Sequence, residues 1–477
     1  MRVLLLKPPV KANRIYNVIP PIGLGYLAAG LRREGHEVVL LDAINDGLNF
    51  KSTLKHIITT QPDIVGYQIF SYDVGMVRRI SEKLKSTRSP TPIIQVIGGP
   101  HVSGMGPKAL EHFPHVDYAL AGEGERTFAR LVNLIEKEHA SPDQIKGIPG
   151  LLYQGMNQSD FVPPCFEENL DELGFPAWDL HQPTNYPFAP QGAIFRQRPF
   201  APIIITRGCP FLCTFCAGHS ITGNKLRMRS IEHVIEEMRM LIQEWGVREF
   251  HILDDNFSLD RDYFMRWCRA VSENFHGISW CAPNGMRLDT LDSEMVNAMK
   301  ASGCYYVSVG IESGSDRILK HMRKGFTVDD VHKQIAMVRR EGLDVNGFFI
   351  LGYPAETIED MEATIRLSVE LDLSRAAYFN FLPLPGTIFF DEYYPNGLED
   401  DIWDSYFQYN APFAPPGITP RQVKSLQRRA HFKFYFRPKI ILRMLMEIRS
   451  IRQMYWIMRR ASKVLGAGVD IVKTNKD

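Results

Sequence analysis

The 477-residue chain has almost no net charge, +1 with histidine neutral, so its composition selects neither nucleic acid nor an acidic partner. No stretch approaches the roughly 18 to 20 apolar residues of a membrane span, and Met1–Lys7 is too short for a secretory core. A cytoplasmic protein is expected. Cysteine is scarce, seven in all, and Cys165, Cys268, Cys281 and Cys304 are scattered through apolar or mixed surroundings, which argues for reduced thiols rather than a disulfide framework. No Gly-x-Gly-x-x-Gly follows the first apolar run, which disfavours a dinucleotide fold. At 45% hydrophobic content this length implies two or three domains.

The other three cysteines stand together in Arg207-Gly208-Cys209-Pro-Phe-Leu-Cys213-Thr-Phe215-Cys216. Three thiolates this close hold an iron-sulfur cube by three corners and leave one iron open, whereas electron-transfer ferredoxins supply a fourth cysteine. His219 keeps a zinc tetrahedron open as the alternative. Ile203–Thr206 reads as a buried strand, so the cysteine loop leaves a strand end, where α/β sheets place their sites.

Short apolar runs at Val3–Leu6, Val38–Leu41, Ile64–Tyr67, Ile93–Ile97 and Tyr118–Leu120 alternate with amphipathic segments, the rhythm of a Rossmann-like doubly wound sheet. Gly98-Gly99-Pro100-His101 follows the fourth run and Gly122-Glu123-Gly124-Glu125 the fifth; paired glycines let backbone approach a flat or phosphate-bearing ligand. Residues 141–199 are rich in proline and polar residues and are expected to form a linker without regular core elements. Strand-like runs at Ile203–Thr206, Phe250–Leu253, Ile278–Ala282, Tyr305–Val309, Gly347–Leu351 and Ala377–Phe381 then recur about every 30 residues, as crossover units do, and predict a partial (β/α)6 TIM barrel. Barrel enzymes work at the carboxyl ends of their strands. The candidates there are Asp254-Asp255-Asn256, Asn284, Arg287, Glu312-Ser313, the Gly352–Glu356 loop and Pro383–Thr387, with Tyr378 and Asn380 on the sixth strand as residues that face substrate or pack the strand.

From Arg421 onward basic residues interleave with apolar ones, including Arg428, Arg429, Lys433, Arg437, Lys439, Arg443, Arg449, Arg452, Arg459 and Arg460. Ile440, Ile441, Met444, Leu445 and Ile448 recur at helical spacing. A helical cap on the barrel is favoured; a basic amphipathic helix with Tyr455 and Trp456 lying on an anionic membrane is the second reading.

With Phe215 before its third cysteine, the Cys-x3-Cys-x2-Cys run resembles the signature of radical S-adenosylmethionine (SAM) enzymes. The resemblance implies a 4Fe-4S cluster on Cys209, Cys213 and Cys216, and SAM on its open iron, cleaved to a 5′-deoxyadenosyl radical by an electron from a donor such as flavodoxin or ferredoxin. Gly310-Ile-Glu312-Ser313-Gly is similar to the family's fourth-strand SAM segment and Phe349–Gly352 to the fifth-strand segment beneath adenine; Arg287, Asp254 and Asp255 are further SAM candidates. The Pro-Pro-x-Gly-Leu opening, Pro62–Gly66, Gly98-Gly99-Pro100-His101 and Gly122–Glu125 resemble the cobalamin-binding domain that precedes many radical SAM barrels. Gln68-Ile69-Phe70, followed by Ser71, stands where such domains carry Ser-x-Leu, a departure that bears on the corrin contact. No Asp-x-His-x-x-Gly is present; Asp179-Leu180-His181 lacks the glycine, and His101 is placed at the nucleotide tail or a turn cap rather than on cobalt.

Together these imply a cobalamin domain over 1–140, a linker over 141–199, a radical SAM barrel over 200–400 and a basic helical region over 401–477. The expected activity is methyl transfer from methylcobalamin to an unactivated carbon of a small molecule, with lipids among the candidates and no nucleic acid partner. A cyclase or rearranging enzyme of the same architecture and a non-catalytic cobalamin or iron-sulfur sensor are the alternatives. No general base is evident, and hydrogen abstraction by a carbon radical needs none.

Overall fold

The computed structural model describes residues 1–10, 18–87, 92–137, 142–186, 195–395, 397–399, 402–410 and 412–448, with 451, 454, 457 and 458 beyond. Two six-stranded sheets, parallel but for one edge strand, organise the chain. The first contains β1 (Arg2–Lys7), β2 (Glu37–Asp42), β3 (Ile64–Gln68), β4 (Ile94–Gly98), β5 (Tyr118–Leu120) and β6 (Leu151–Tyr153), in the order β2-β1-β3-β4-β5-β6. Val3–Leu6 are fully buried because helices cover both faces, which is why β1 reads as an unbroken apolar run. β6 pairs antiparallel with β5. That corrects the expectation of no regular element between 141 and 199: the prolines around Leu151-Leu152-Tyr153 obscure a three-residue edge strand. The same stretch sends Leu170, Leu173 and Trp178 into the core of the second sheet, and the Trp178 indole donates to Glu237 at 2.9 Å.

The second sheet begins at β7 (Phe200–Ile203). A short antiparallel pair, β8 (Thr206–Arg207) and β9 (Arg227–Met228), brackets the cysteine loop. Then follow β10 (Glu249–Ile252), β11 (Ser279–Met286), β12 (Cys304–Glu312), β13 (Asp344–Leu351) and β14 (Arg375–Asn380), in the order β14-β13-β12-β11-β10-β7, all parallel and open between the ends. This is the expected six-unit partial barrel, with its first strand three residues earlier than Ile203–Thr206. The Ile205 and Thr206 amides donate to the Asp254 carboxylate, so they leave the ladder.

Strand alternation sorts the residues of β14. Tyr378 stacks on Phe349 and donates to Ser368 at 2.6 Å, and Asn380 donates to Gln427 at 3.1 Å, so both pack under the outer helices rather than facing substrate. The helix Pro420–Tyr435 covers β14: Leu426, Ala430 and Phe434 enter the barrel core, and the Tyr435 hydroxyl donates to Ala376 O at 2.8 Å. A helical cap over an edge strand is the device that keeps such an edge from pairing with other chains. In the next helix, Pro438–Glu447, the expected common face divides: Ile440 is buried, whereas Ile441, Leu442, Leu445 and Met446 are exposed. Arg449, Arg452, Tyr455, Trp456, Arg459 and Arg460 lie outside the described residues. Among the described residues, no helix is long and apolar enough to cross a membrane.

Candidate cofactor site between the two sheets

The cysteine loop is a closed excursion of the hairpin. Gly208, at φ +89°, turns the chain where a Cβ would collide with Lys225 O, and the Cys209 amide returns to Gly223 O at 3.3 Å. Cys209, Cys213 and Cys216 are all free thiols. Partial burial raises the Cys209 thiol, so metal loading must displace its proton. Two N–H groups already point at sulfur: the Gly218 amide at Cys216 Sγ, 3.3 Å, and Arg287 Nη1 at Cys213 Sγ, 3.9 Å. Three thiolate donors with positive dipoles beside them fit an iron-sulfur cluster.

Around this loop the strand ends supply charge. Arg287 lies over the Phe211 ring at 3.7 Å, grips Asp289 with two bonds of 2.9 and 2.7 Å, and donates to Lys324 O. Lys324 Nζ reaches Glu312 Oε1 at 3.1 Å and sits 5.7 Å from the Phe215 ring. Glu312 holds φ +67°, a left-handed conformation uncommon outside glycine, which aims its carboxylate back across Gly310. Asn256, at the end of β10, is buried and neither its amide nitrogen nor its oxygen finds a protein partner. An orphaned buried amide, and separately a paired carboxylate and ammonium, are groups that suit an amino-acid ligand such as the methionine end of SAM.

Other candidates have different positions. Asp254 accepts from Ile205 N, Thr206 N and Thr206 Oγ1 at 2.7–2.8 Å and clamps the base of the cluster loop. Burial pushes its carboxyl up to about 7, against these donors, which favour the anion. As a SAM candidate Asp254 is thus already engaged by the backbone before the cluster loop. Asp255 is exposed and accepts from Thr222 at 2.6 Å. Ser313 is buried against Thr364 and shapes a turn. The Gly352 amide donates to Glu356, and its requirement for glycine comes from the chain itself: φ is +80°, and a Cβ would meet Val423 of the covering helix at 3.0 Å.

On the first sheet, Gly98 and Gly99 end β4, with the Ile69 amide donating to Gly98 O at 2.8 Å. Gly99 holds φ +108°, where a Cβ would stand 2.9 Å from Ile69 O. Phe70 is 38% exposed beside them and stacks on Tyr72 with centroids 5.4 Å apart and planes within 4°. An exposed aromatic face beside this tight glycine turn fits a broad flat macrocycle. Gln68 lies over Gly23, whose added Cβ would meet its amide nitrogen at 3.5 Å.

His101, expected at a nucleotide tail or a turn cap, does not face this platform. It is fully buried behind Pro100, 3.1 Å from the Ser71 hydroxyl and edge-on to Trp403 at 4.8 Å, and burial holds its pKa down at about 3. His181 is likewise buried, stacked on Trp178 against Gly25. The Gly122–Glu125 loop also differs from expectation: a Cβ at Gly122 would strike Pro164 at 2.5 Å, one at Gly124 would meet Leu27 at 3.3 Å, and Glu123 pairs with Arg207 and Arg227.

The two loop systems share a wall. The helix Pro100–Met105 after Gly99 packs on the helix Gly218–Thr222 after Cys216. The β14 loop wedges between them: a Cβ at Gly104 would collide with Pro385, and one at Gly386 would meet Ser220 Oγ at 2.6 Å. Sequence reasoning missed Lys324, Phe211, Arg207 and Arg227. Arg207 carried a legible signal, a charge set between an apolar strand and the first cysteine; Lys324 reaches Glu312 only through a turn. At the barrel floor, Glu249, His251 and Cys281 form a further group of potential ligands, but Glu249 already accepts from His251, Tyr305 and the Arg196 and Gln197 amides at 2.6–2.8 Å.

A partial barrel with a three-cysteine loop, set against a sheet with a glycine-edged platform, defines an iron-sulfur radical enzyme joined to a corrin-binding domain. Residues 203–368 match the Radical SAM superfamily and residues 10–132 the B12 binding domain; the chain belongs to the cobalamin-binding radical SAM enzymes. It is 33% identical over 455 residues to an uncharacterized methyltransferase of Pyrococcus horikoshii, covering 94% of this chain and 95% of that one. It is 32% identical over 453 residues to cytidylyl-2-hydroxyethylphosphonate methyltransferase of Streptomyces wedmorensis, covering 84% and 83%. Its fold is similar to that of the radical SAM methyltransferase TsrM from Kitasatospora setae, solved with cobalamin and a 4Fe-4S cluster bound, at a TM-score of 0.64 and 21% identity over 87% of this chain and 76% of that one. The protein is a radical SAM enzyme, and its cofactors are a 4Fe-4S cluster, SAM and cobalamin.

Proposed function

We propose that the protein transfers a methyl group to an unactivated carbon of a small, predominantly apolar molecule. The observation that carries this reading is the shared wall of the helices Pro100–Met105 and Gly218–Thr222, which sets the glycine platform and the cysteine loop side by side at one barrel mouth. When bound, the cluster with SAM supplies a carbon radical that takes hydrogen from substrate, and cobalamin supplies the methyl group. The chain's residues set distance and exclude water. Cys209, Cys213 and Cys216 would hold the cluster, Arg287 steadies Cys213, and Glu312 with Lys324 and Asn256 would orient the amino-acid end of SAM. Gly98, Gly99 and Phe70 would carry the corrin face. With His101 and His181 both buried in packing, neither imidazole reaches that face.

A reductant such as flavodoxin or ferredoxin would deliver the electron. The exposed Ile441, Leu442, Leu445 and Met446, near Lys439 and Arg443, would let a lipid-bearing surface approach, which suits a cytoplasmic enzyme with peripheral membrane contact and a hydrophobic substrate. Incubating the reconstituted protein with SAM labelled by deuterium in its methyl group, together with a lipid extract and a polar metabolite extract, tests the reading. A labelled methyl in a lipid product supports it. Label only in polar products removes the lipid clause, and a new ring or rearranged product without label sinks methyl transfer.

A further inference from the structure

We propose that Glu123, Glu125, Arg207 and Arg227 form a lock that holds the cluster loop at a fixed place against the corrin-binding sheet, making these four the positioning residues for passage between the two cofactors. The proposal rests on the two-cofactor reading above. Arg207 stands two residues before Cys209, and Arg227 is its register partner on the returning strand, so both ends of the cluster loop carry one arginine. Both reach across to the loop after β5. Glu123 Oε1 is 3.3 Å from Arg207 and 2.7 Å from Arg227, Glu123 Oε2 is 2.8 Å from Arg227, and Glu125 Oε1 is 2.9 Å from Arg207. All four side chains are nine-tenths or more buried.

Two carboxylates balance two guanidiniums, and Arg227 also bonds Thr222 O at 2.6 Å and Glu167 O at 2.8 Å. Buried pairs of this kind contribute little net stability over apolar packing of the same volume, but they tolerate one geometry. A guanidinium fork gripping both oxygens of Glu123 fixes angle as well as distance, which a lysine would not. The lock therefore specifies place. Its neighbours reinforce that: Arg207 lies over the Tyr26 ring at 5.0 Å, and Arg227 over Phe166 at 5.2 Å. Tyr26 belongs to the first sheet's opening helix, so the grip extends beyond one loop.

The test compares the fully loaded wild-type with Glu123→Gln, which keeps shape and removes charge. Pulsed electron paramagnetic resonance reads the dipolar coupling between the reduced cluster and the Co(II) corrin, and hydrogen exchange reads the amides of 122–125 and 208–224. The proposal expects unchanged iron and corrin content, a weaker and broader coupling, and faster exchange in both segments together. Where Glu123→Gln does not fold, Arg227→Lys keeps the charge, loses the fork and is read in the same way. The surface substitution Lys225→Gln, on the same loop, should leave both readouts as in wild-type. Unchanged coupling and exchange after the lock is cut, or an equal disturbance from Lys225→Gln, overturns the proposal. If the wild-type retains no corrin, the two-cofactor reading fails, and exchange of 208–224 against 122–125 still decides the lock.

Discussion

The two sheets end differently. The first presents backbone and a ring at the shared wall: Gly98, Gly99 and Phe70. The barrel presents side chains, with Arg287, Lys324, Glu312 and the three cysteines gathered at its strand ends. A large flat cofactor is held by shape, and a tight glycine turn beside a ring face leaves room for it. A small anionic cluster with a zwitterionic ligand is held by charge, which takes ionic groups fixed by their own partners. The Glu123–Glu125 loop is the exception: it lies on the first sheet, yet its chemistry belongs to the barrel.

If this division holds, each site breaks separately. The largest effect is expected from Cys213→Ala: loss of the cluster and of SAM cleavage, read by iron content and 5′-deoxyadenosine formation, with corrin retention unchanged. Arg287→Gln should lower SAM cleavage by about 10- to 100-fold and shift the cluster's reduction potential, because it removes the N–H aimed at Cys213 Sγ, a typical outer-shell effect. Gly99→Ala tests the other side. A side chain at φ +108°, 2.9 Å from Ile69 O, should cost about 1–3 kcal/mol of local strain and reduce bound corrin while leaving iron content intact.

The smallest effect concerns pH. Burial pushes the Glu356 carboxyl up to about 8, opposed by the Tyr353 and Gly352 amides that it accepts from. An acid raised this way binds its proton more tightly folded than unfolded. Its contribution to stability is therefore lost as pH rises from its ordinary value of 4.5 toward about 8, and is flat above that. Glu356→Gln keeps an acceptor for both amides and places a neutral group at the orphaned Oε1. It should flatten the fall in melting temperature between pH 6 and pH 8; a variant with the wild-type slope would assign that slope to another group.

Much of this was legible in the sequence because its signals are local. A five-residue β-branched or apolar run bounded by glycine identifies a buried parallel strand, and a cysteine triad marks the loop that leaves one, so both sheets and the place of the cysteine loop could be read from spacing. Partnership across the chain could not. Asp254 looked like a ligand residue because it ends a strand, but Ile205 and Thr206, 49 and 48 residues earlier, take its carboxylate. His101 looked available after two glycines and a proline, but Trp403, three hundred residues on, buries it. β6 escaped notice because three residues carry no period. In each case the deciding contact lies far off in sequence, where neither propensity nor pattern reaches.

The most direct test of two cofactors at one barrel mouth is anaerobic reconstitution with iron, sulfide and hydroxocobalamin, followed by measurement of corrin retained per chain and dithionite-driven 5′-deoxyadenosine. The account predicts one corrin per chain together with SAM cleavage. Cleavage by a protein that retains no corrin would contradict it and leave the glycine platform to a different ligand.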